Sequence, residues 1–207
     1  MTSGVTVRGR HVVLRPYREG EIDAMQAAMS TPEARSWLPL GAPPLHELRR
    51  RVDAAGEPSE GRIDLAVEAD GRLVGEIDAR HPRWAVPPGV WEIGISMFAS
   101  ADRGQGYGRE AVELICDRLF EREGAHRVAL TTDLDNAPMR AVAERCGMRF
   151  EGVLRSFMPS AGRGPRRDYA MYAITKDDWT ELRSDGDDAD DVAGRRGAST
   201  TPDEGTD

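Results

Sequence analysis

The 207-residue chain is 39% apolar and 31% charged, an ordinary globular composition, and it is long enough to fill one good core. No run approaches the ~18 consecutive apolar residues of a membrane span, and the N-terminus lacks the basic-then-apolar pattern of a signal peptide, so a cytoplasmic protein is expected. The net charge of -8 is unevenly held: Ser184 to Asp207 carries eight acidic residues and two arginines, so residues 1–183 are nearly neutral and lack the basic excess of a nucleic-acid surface.

Thr6 to Tyr17, with Val7, Val12, Val13 and Leu14 among polar residues, reads as a first strand bent near Gly9. Glu21 to Met29 sets Ile22, Met25, Ala28 and Met29 on one helical face, and Thr31-Pro32-Glu33 has the cap and first-position proline of another helix. Beyond a proline-rich break at Leu38 to Pro44, Leu45 to Ala55 is again amphipathic. Ile63, Leu65 and Val67 alternate up to Asp70-Gly71, a strong turn pair, and Leu73, Gly75 and Ile77 alternate away from it, which predicts a hairpin.

After the loop His81 to Gly89, Val90 to Phe98 is the fourth expected strand, with Trp91, Ile93 and Ile95 on one face and Glu92, Gly94 and Ser96 on the other. The turn Arg103-Gly104-Gln105-Gly106-Tyr107-Gly108 leads into an amphipathic stretch, Arg109 to Arg122. Ala125 to Asp133 is a fifth strand, and Asn136 to Cys146 is a helix closed by Gly147. Arg149 to Leu154 and Asp168 to Thr175 are the last strands, and Asp177 to Arg183 is a short closing helix. The order predicts one α/β domain over 1–183, a mixed seven-stranded sheet flanked by helices. The tail 184–207 has too few apolar residues to offset its ordering entropy and is expected to be disordered. Cys116 and Cys146 each fall within a helix, and the four histidines have no ligand spacing, so no metal site is expected.

The glycine turn is the most informative segment. A helix start has N–H groups without intrahelical partners and a positive dipole end, and glycines let a phosphate come close to them. The dinucleotide fingerprint GxGxxG would place its third glycine at Arg109, and the chain's single lysine, Lys176, is far from any Gly-Lys-Ser/Thr loop. What fits is Arg-x-x-Gly-x-Gly, here Arg103, Gly106 and Gly108, which resembles the pyrophosphate loop of the GNAT superfamily of coenzyme A dependent N-acyltransferases. The order of elements over about residues 5 to 180 is also similar to that family. So is the block Asp135 to Gly152, where an asparagine opens a helix and Gly147-Met148 ends it. With Leu14-Arg15-Pro16-Tyr17, Trp37-Leu38-Pro39 and Asp168-Tyr169-Ala170-Met171-Tyr172, the chain looks like the RimJ/RimL-like branch of ribosomal-protein N-terminal acetyltransferases.

The resemblance implies the GNAT fold, with its fourth and fifth strands splayed, acetyl-coenzyme A as donor and a primary amine as acceptor, joined directly in a ternary complex. It implies that the amides of Gln105, Gly106, Tyr107, Gly108 and Arg109 hold the pyrophosphate, with Arg103 beside them and Gly104 in the same cofactor-binding loop. The pantetheine arm would pair with the strand end at Met97 and Phe98, and the Phe98 amide would face the acyl oxygen. Asn136 would cap its helix and contact the coenzyme. Glu92 is the first candidate for the base that takes the amine's proton and Asp168 the second. Asp168 has a competing reading as a strand-end partner of Arg166 or Arg167.

The chain departs from its relatives where they keep a proton donor: Met139 and Ala143 stand at positions that many relatives fill with serine and tyrosine. That leaves water, Tyr169 or Tyr172 as the acid. It also keeps open a non-catalytic acyl-coenzyme A binding module and transfer of a larger acyl group such as succinyl. Acceptor choice, between a protein N-terminal α-amine and a small-molecule amine, is expected to come from Leu38 to Pro44, His81 to Gly89 with Trp84, and Met158 to Arg166. A homodimer is the default assembly.

Overall fold

The computed structural model describes residues 5–32, 34, 41–53, 61–81, 86–160 and 164–184. Trp37-Leu38-Pro39, Trp84 and the acidic stretch 185–207 lie outside them.

Among the described residues eight strands make one sheet, in the order β1-β2-β3-β4-β5-β6-β8-β7. They are β1 (Val7–Arg8), β2 (Val12–Arg15), β3 (Arg62–Ala69), β4 (Arg72–Arg80), β5 (Val90–Met97), β6 (Arg127–Asp133), β7 (Arg149–Met158) and β8 (Arg167–Thr175). The count exceeds the expected seven because the first strand does more than bend at Gly9. The Gly9 N–H donates to the Val12 carbonyl at 2.8 Å, and β1 folds back antiparallel on β2, pairing Val7 with Leu14. Glu110 forces this geometry: its carboxylate accepts the N–H of His11 and lies where a Cβ on residue 9 would stand.

Among the described residues the longer helices are α1 (Ile22–Met29), α2 (Leu45–Asp53), α3 (Tyr107–Arg122), α4 (Ala137–Arg145) and α5 over 176–184. Thr31 caps the helical segment that opens at Pro32, as expected, its hydroxyl accepting the Ala34 N–H at 3.1 Å. Thr175 and Asp178 form a reciprocal cap at the start of α5, which docks Trp179 on Phe120 with its indole N–H donating to Asp117 at 3.0 Å. Among the described residues no helix is long and apolar enough to cross a membrane.

Strand alternation divides the sheet into two unlike faces. Ile63, Leu65, Ile77, Trp91, Ile93, Val128, Leu130 and Tyr172 are buried in the main core together with Val112, Ile115 and Leu119 of α3. On the opposite face a smaller cluster of Tyr17, Met25, Met29, Leu48 and Ala66 joins α1 and α2 to the sheet. That face is otherwise polar, carrying Arg62 and Asp64 of β3, Glu76, Asp78 and Arg80 of β4, and Glu92, Gly94 and Ser96 of β5. All strand pairings are antiparallel except β5 with β6, and that one is short. It runs from Val90 with Arg127 to Ile93 with Leu130, while β5 continues to Met97 and β6 to Asp133. The two strands therefore part over their last three or four residues, at the end where the chain enters the glycine turn.

Candidate active site

The glycine turn sits at the mouth of this gap. A short 3-10 turn at Ser100–Asp102 leads to Gly104 and Gly106, whose φ angles of 74° and 87° are left-handed, and α3 starts at Tyr107. Among the described residues no side chain caps that helix start, and a Cβ at either glycine would meet nothing within 4 Å. Among the described residues, the amides from Gln105 to Arg109 have no intramolecular partner. Five donors and a helix dipole thus face open space that only glycine keeps clear, a cradle suited to an anionic group.

Side chains around the cradle hold it in place. The Arg103 guanidinium donates to the Met97 carbonyl at 3.3 Å, tying the turn to the end of β5. Tyr107 packs on the main core and its hydroxyl donates to Asp70 at 3.2 Å in the β3–β4 turn, so it anchors the loop to the hairpin. Arg109 pairs with Glu113 at 2.7 Å along α3. Gly108 is in ordinary helical backbone, and a methyl group there would make ordinary contact with Met97 and Ile95.

One sequence expectation is corrected on the strand itself. The Phe98 N–H donates to the Val74 carbonyl at 2.9 Å, so it faces β4 and not the gap. In an antiparallel pair N–H and C=O alternate sides, so the register that pairs Phe98 with Val74 turns Ser96 and Gly94 toward β4 and turns Ile95 and Met97 toward the gap. The donor available to a ligand lying between β5 and β6 is therefore the Met97 N–H, one residue earlier than expected. A sequence gives strand faces by hydropathy but not the parity of its backbone bonds, which depends on register.

On the polar face Glu92 is half-exposed. Its carboxylate accepts from the Thr131 hydroxyl at 3.2 Å and lies 3.6 Å from Arg80. Two residues further along β5, Gly94 leaves the space that Asp78 fills: an added Cβ would come within 2.8 Å of the Asp78 carboxylate. Asp78 is nearly enclosed between Arg80 and Arg62, and burial raises its pKa despite them. Asp64 is held by both arms of Arg62 at 2.6 and 2.7 Å.

Deeper under α2 lies a group that sequence reasoning missed, Glu76, directly opposite Ser96 in the β4–β5 register. Among the described residues its carboxylate accepts only a long bond from the Tyr17 hydroxyl, 3.4 Å, and Arg51 of α2 is 4.0 Å away. Burial pushes the Glu76 carboxyl up to about 7, and burial next to Glu76 raises the Tyr17 phenol well above its usual range. The sequence signal was a charged residue between Gly75 and Ile77 in a strand that is covered on both faces, and the covering is tertiary.

The remaining candidates separate cleanly. Asp168 accepts the Ser156 N–H at 2.7 Å and so braces a residue held at φ 52°, while Arg167 pairs with Asp133 at 2.6 Å. Asn136 caps α4 by accepting the Met139 N–H at 3.3 Å. Ala143 is buried in the main core and Met139 packs against it. Tyr172 is also on the core side, fixed by Glu144 at 2.9 Å and Arg140 at 3.2 Å. Tyr169 is buried against Phe157.

A parted parallel strand pair, a glycine cradle at its mouth and a carboxylate-bearing face beside it define an α/β protein with room for an extended anionic ligand between two strands. Residues 11–149 match the acetyltransferase (GNAT) domain family, and the chain belongs to that family. N-acetyltransferase YnaD of Bacillus subtilis is 30% identical over 90 residues, and a mycothiol acetyltransferase of Pseudarthrobacter chlorophenolicus is 33% identical over 103. These matches cover 44% and 47% of this chain, and 51% and 32% of the two relatives. A GCN5-related N-acetyltransferase from Brucella melitensis superposes with a TM-score of 0.66 at 27% identity, covering 87% of this chain and 82% of its own. Mycobacterium smegmatis RimJ, solved with CoA-disulfide, has the same fold, with a TM-score of 0.70 at 22% identity over 88% of this chain and 95% of its own.

Proposed function

We propose that the protein transfers an acetyl group from acetyl-coenzyme A to a primary amine, either a peptide N-terminus or a small molecule. The observation that carries this reading is the run of unpartnered amides at Gln105–Arg109 opening onto the gap between β5 and β6. RimJ, a structural neighbour, was solved with a coenzyme A derivative. The amides from Gln105 to Arg109 hold the pyrophosphate with Arg103 beside them, and the Ile95 and Met97 backbone groups pair with the pantetheine arm. Asn136, besides capping α4, contacts the coenzyme.

Acetyl-coenzyme A supplies an activated thioester. The Met97 N–H stabilises the negative charge that builds on the acyl oxygen, a contribution worth about 3 kcal/mol in comparable sites. Glu92, accessible on the polar face, takes the proton that the amine must lose, directly or through one water. Asp168 has its carboxylate committed to Ser156 and supports the strand instead.

Thiol release from acetyl- and succinyl-coenzyme A, measured against a panel of peptides and small amines, tests the reading. Amine-dependent release with the acetyl donor, abolished in Glu92→Gln with coenzyme A affinity retained, is the expected result. Tight coenzyme A binding with no release for any amine would leave a binding module.

A further inference from the structure

The chain lacks a proton donor at Met139 and Ala143, and its four tyrosines do not supply an obvious one. Tyr107 is bonded to Asp70, Tyr172 lies on the core side with Glu144 and Arg140, and Tyr169 is buried against Phe157. Tyr17 donates to Glu76. Yet a thiolate leaving from the gap needs a proton.

Ser96 is the residue through which one can arrive. It lies on β5 in the segment that has parted from β6, its side chain is on the polar face, and among the described residues its hydroxyl has no hydrogen-bond partner. Directly across from it on β4 is Glu76, and side chains at opposed positions have Cβ atoms about 5 Å apart, within reach of a carboxyl and a hydroxyl. We propose that Glu76, acting through the Ser96 hydroxyl, is the source of the proton taken by the leaving thiolate. This rests on the acetyltransferase reading given above.

The proton balance is simple. Ser96 gives its hydroxyl proton to the sulfur as the C–S bond breaks and takes one from the Glu76 carboxyl. Glu76 is left as a carboxylate and regains its proton from solvent before the next turnover. The groups facing Glu76 are the Tyr17 hydroxyl at the end of β2, Arg51 of α2, Asp64 of β3, Asp78 of its own strand and Ser96 of β5. Its carboxyl, lifted to about 7, is protonated about half the time at neutral pH, whereas an alkyl thiol titrates near ~8.5, so transfer to the thiolate is downhill. Two carboxylates on one face, Glu92 open to solvent and Glu76 covered by α2, thereby divide the work of base and acid.

The test is the pH dependence of kcat in thiol release, with acetyl-coenzyme A and with acetyl-seleno-coenzyme A, whose selenol leaves without needing a proton. In the wild type kcat falls as pH rises through about 7, where Glu76 loses its proton. Glu76→Gln lowers kcat by about 10²-fold and lacks this limb, and its deficit shrinks to a few-fold with the selenium donor. Ser96→Ala shows the same pattern. Tyr17→Phe removes a bond that favours the carboxylate, so the limb moves to higher pH. In the free protein, carboxyl titration by NMR shows a glutamate near 7 that is absent from Glu76→Gln.

A limb that persists in Glu76→Gln, or a deficit equal with both donors, overturns the assignment, as does the absence of a glutamate titrating in that range. Full activity in Ser96→Ala overturns the route. Failure of the wild type with every amine instead counts against the acetyltransferase reading itself.

Discussion

Replacing Gly106 by alanine separates the cradle's role in folding from its role in binding. Gly106 is at φ 87° and ψ -10°, where an L-residue costs about 1–2 kcal/mol, and no protein atom lies within 4 Å of the new methyl. Strain is therefore the whole folding cost, about 1 kcal/mol after the reduced freedom of the unfolded chain is allowed for, or a drop in Tm of about 2–4 °C. The methyl group stands in the space in front of the unpartnered amides. Losing one charge-assisted bond to a phosphate there removes about 1.5–3 kcal/mol of binding, roughly a 10- to 100-fold weaker Kd for coenzyme A. Gly124, at the far end of α3, is the control: its φ is 64° and its Cβ would also meet open space. Gly124→Ala lowers Tm by a similar amount and leaves Kd unchanged. Calorimetric titration with coenzyme A and thermal melts of both variants provide the comparison. An unchanged Kd in Gly106→Ala, with the expected drop in Tm, refutes the cradle as the pyrophosphate site.

Three further outcomes are expected. Asp168→Asn keeps an acceptor for the Ser156 N–H and retains both stability and turnover, whereas Asp168→Ala loses about 1 kcal/mol in chemical denaturation; a folded but inactive Asn variant would restore Asp168 as a base. Arg15 is buried and bonds Glu21 at 2.5 Å and Glu68 at 2.6 Å, so Arg15→Met costs about 3 kcal/mol at pH 7. The Arg15 hydrogen bond holds Glu68 below its usual range; burial raises Glu21, but Arg15 and the Arg18 backbone N–H outweigh it. A depressed carboxylate stabilises above its unfolded pKa, so the wild type loses this term as pH falls below about 4.5 and the variant, already without it, has a flatter acid limb in denaturation. Glu76 has the opposite sign: its folded pKa lies above the unfolded value, so stability is lost as pH rises from 4.5 to about 7. Glu76→Gln should therefore be more stable than the wild type at pH 8, by up to about 3 kcal/mol in denaturant unfolding, and equal stability there would mean that the carboxyl is not desolvated.

Local chemistry accounts for what was readable in advance. Asp70-Gly71 specifies its hairpin turn wherever the strands pack, Asn136-Ala137-Pro138 caps and opens α4, and the Arg103–Gly108 turn needs glycine at left-handed positions whatever surrounds it. The faces of β5 follow from a period of two, so the apolar side with Trp91 and Ile93 and the polar side with Glu92 were legible. Each of these depends on neighbours a few residues away.

What the chain alone could not decide depends on which strand lies beside which. Whether the Phe98 or the Met97 amide faces the gap is a matter of register between β4 and β5, segments joined by a loop whose sequence does not set it. Asp168 read as a candidate base because nothing local reveals that Ser156, twelve residues earlier, needs its oxygen. Glu76 read as an ordinary strand charge because its burial comes from Tyr17 and α2, brought from far along the chain. The sequence by itself determined most of the strands and the glycine cradle, since turn chemistry and periodicity are local. The tertiary structure alone decided which amide faces the gap and which carboxyl is buried, because backbone parity and desolvation exist only once distant strands have paired.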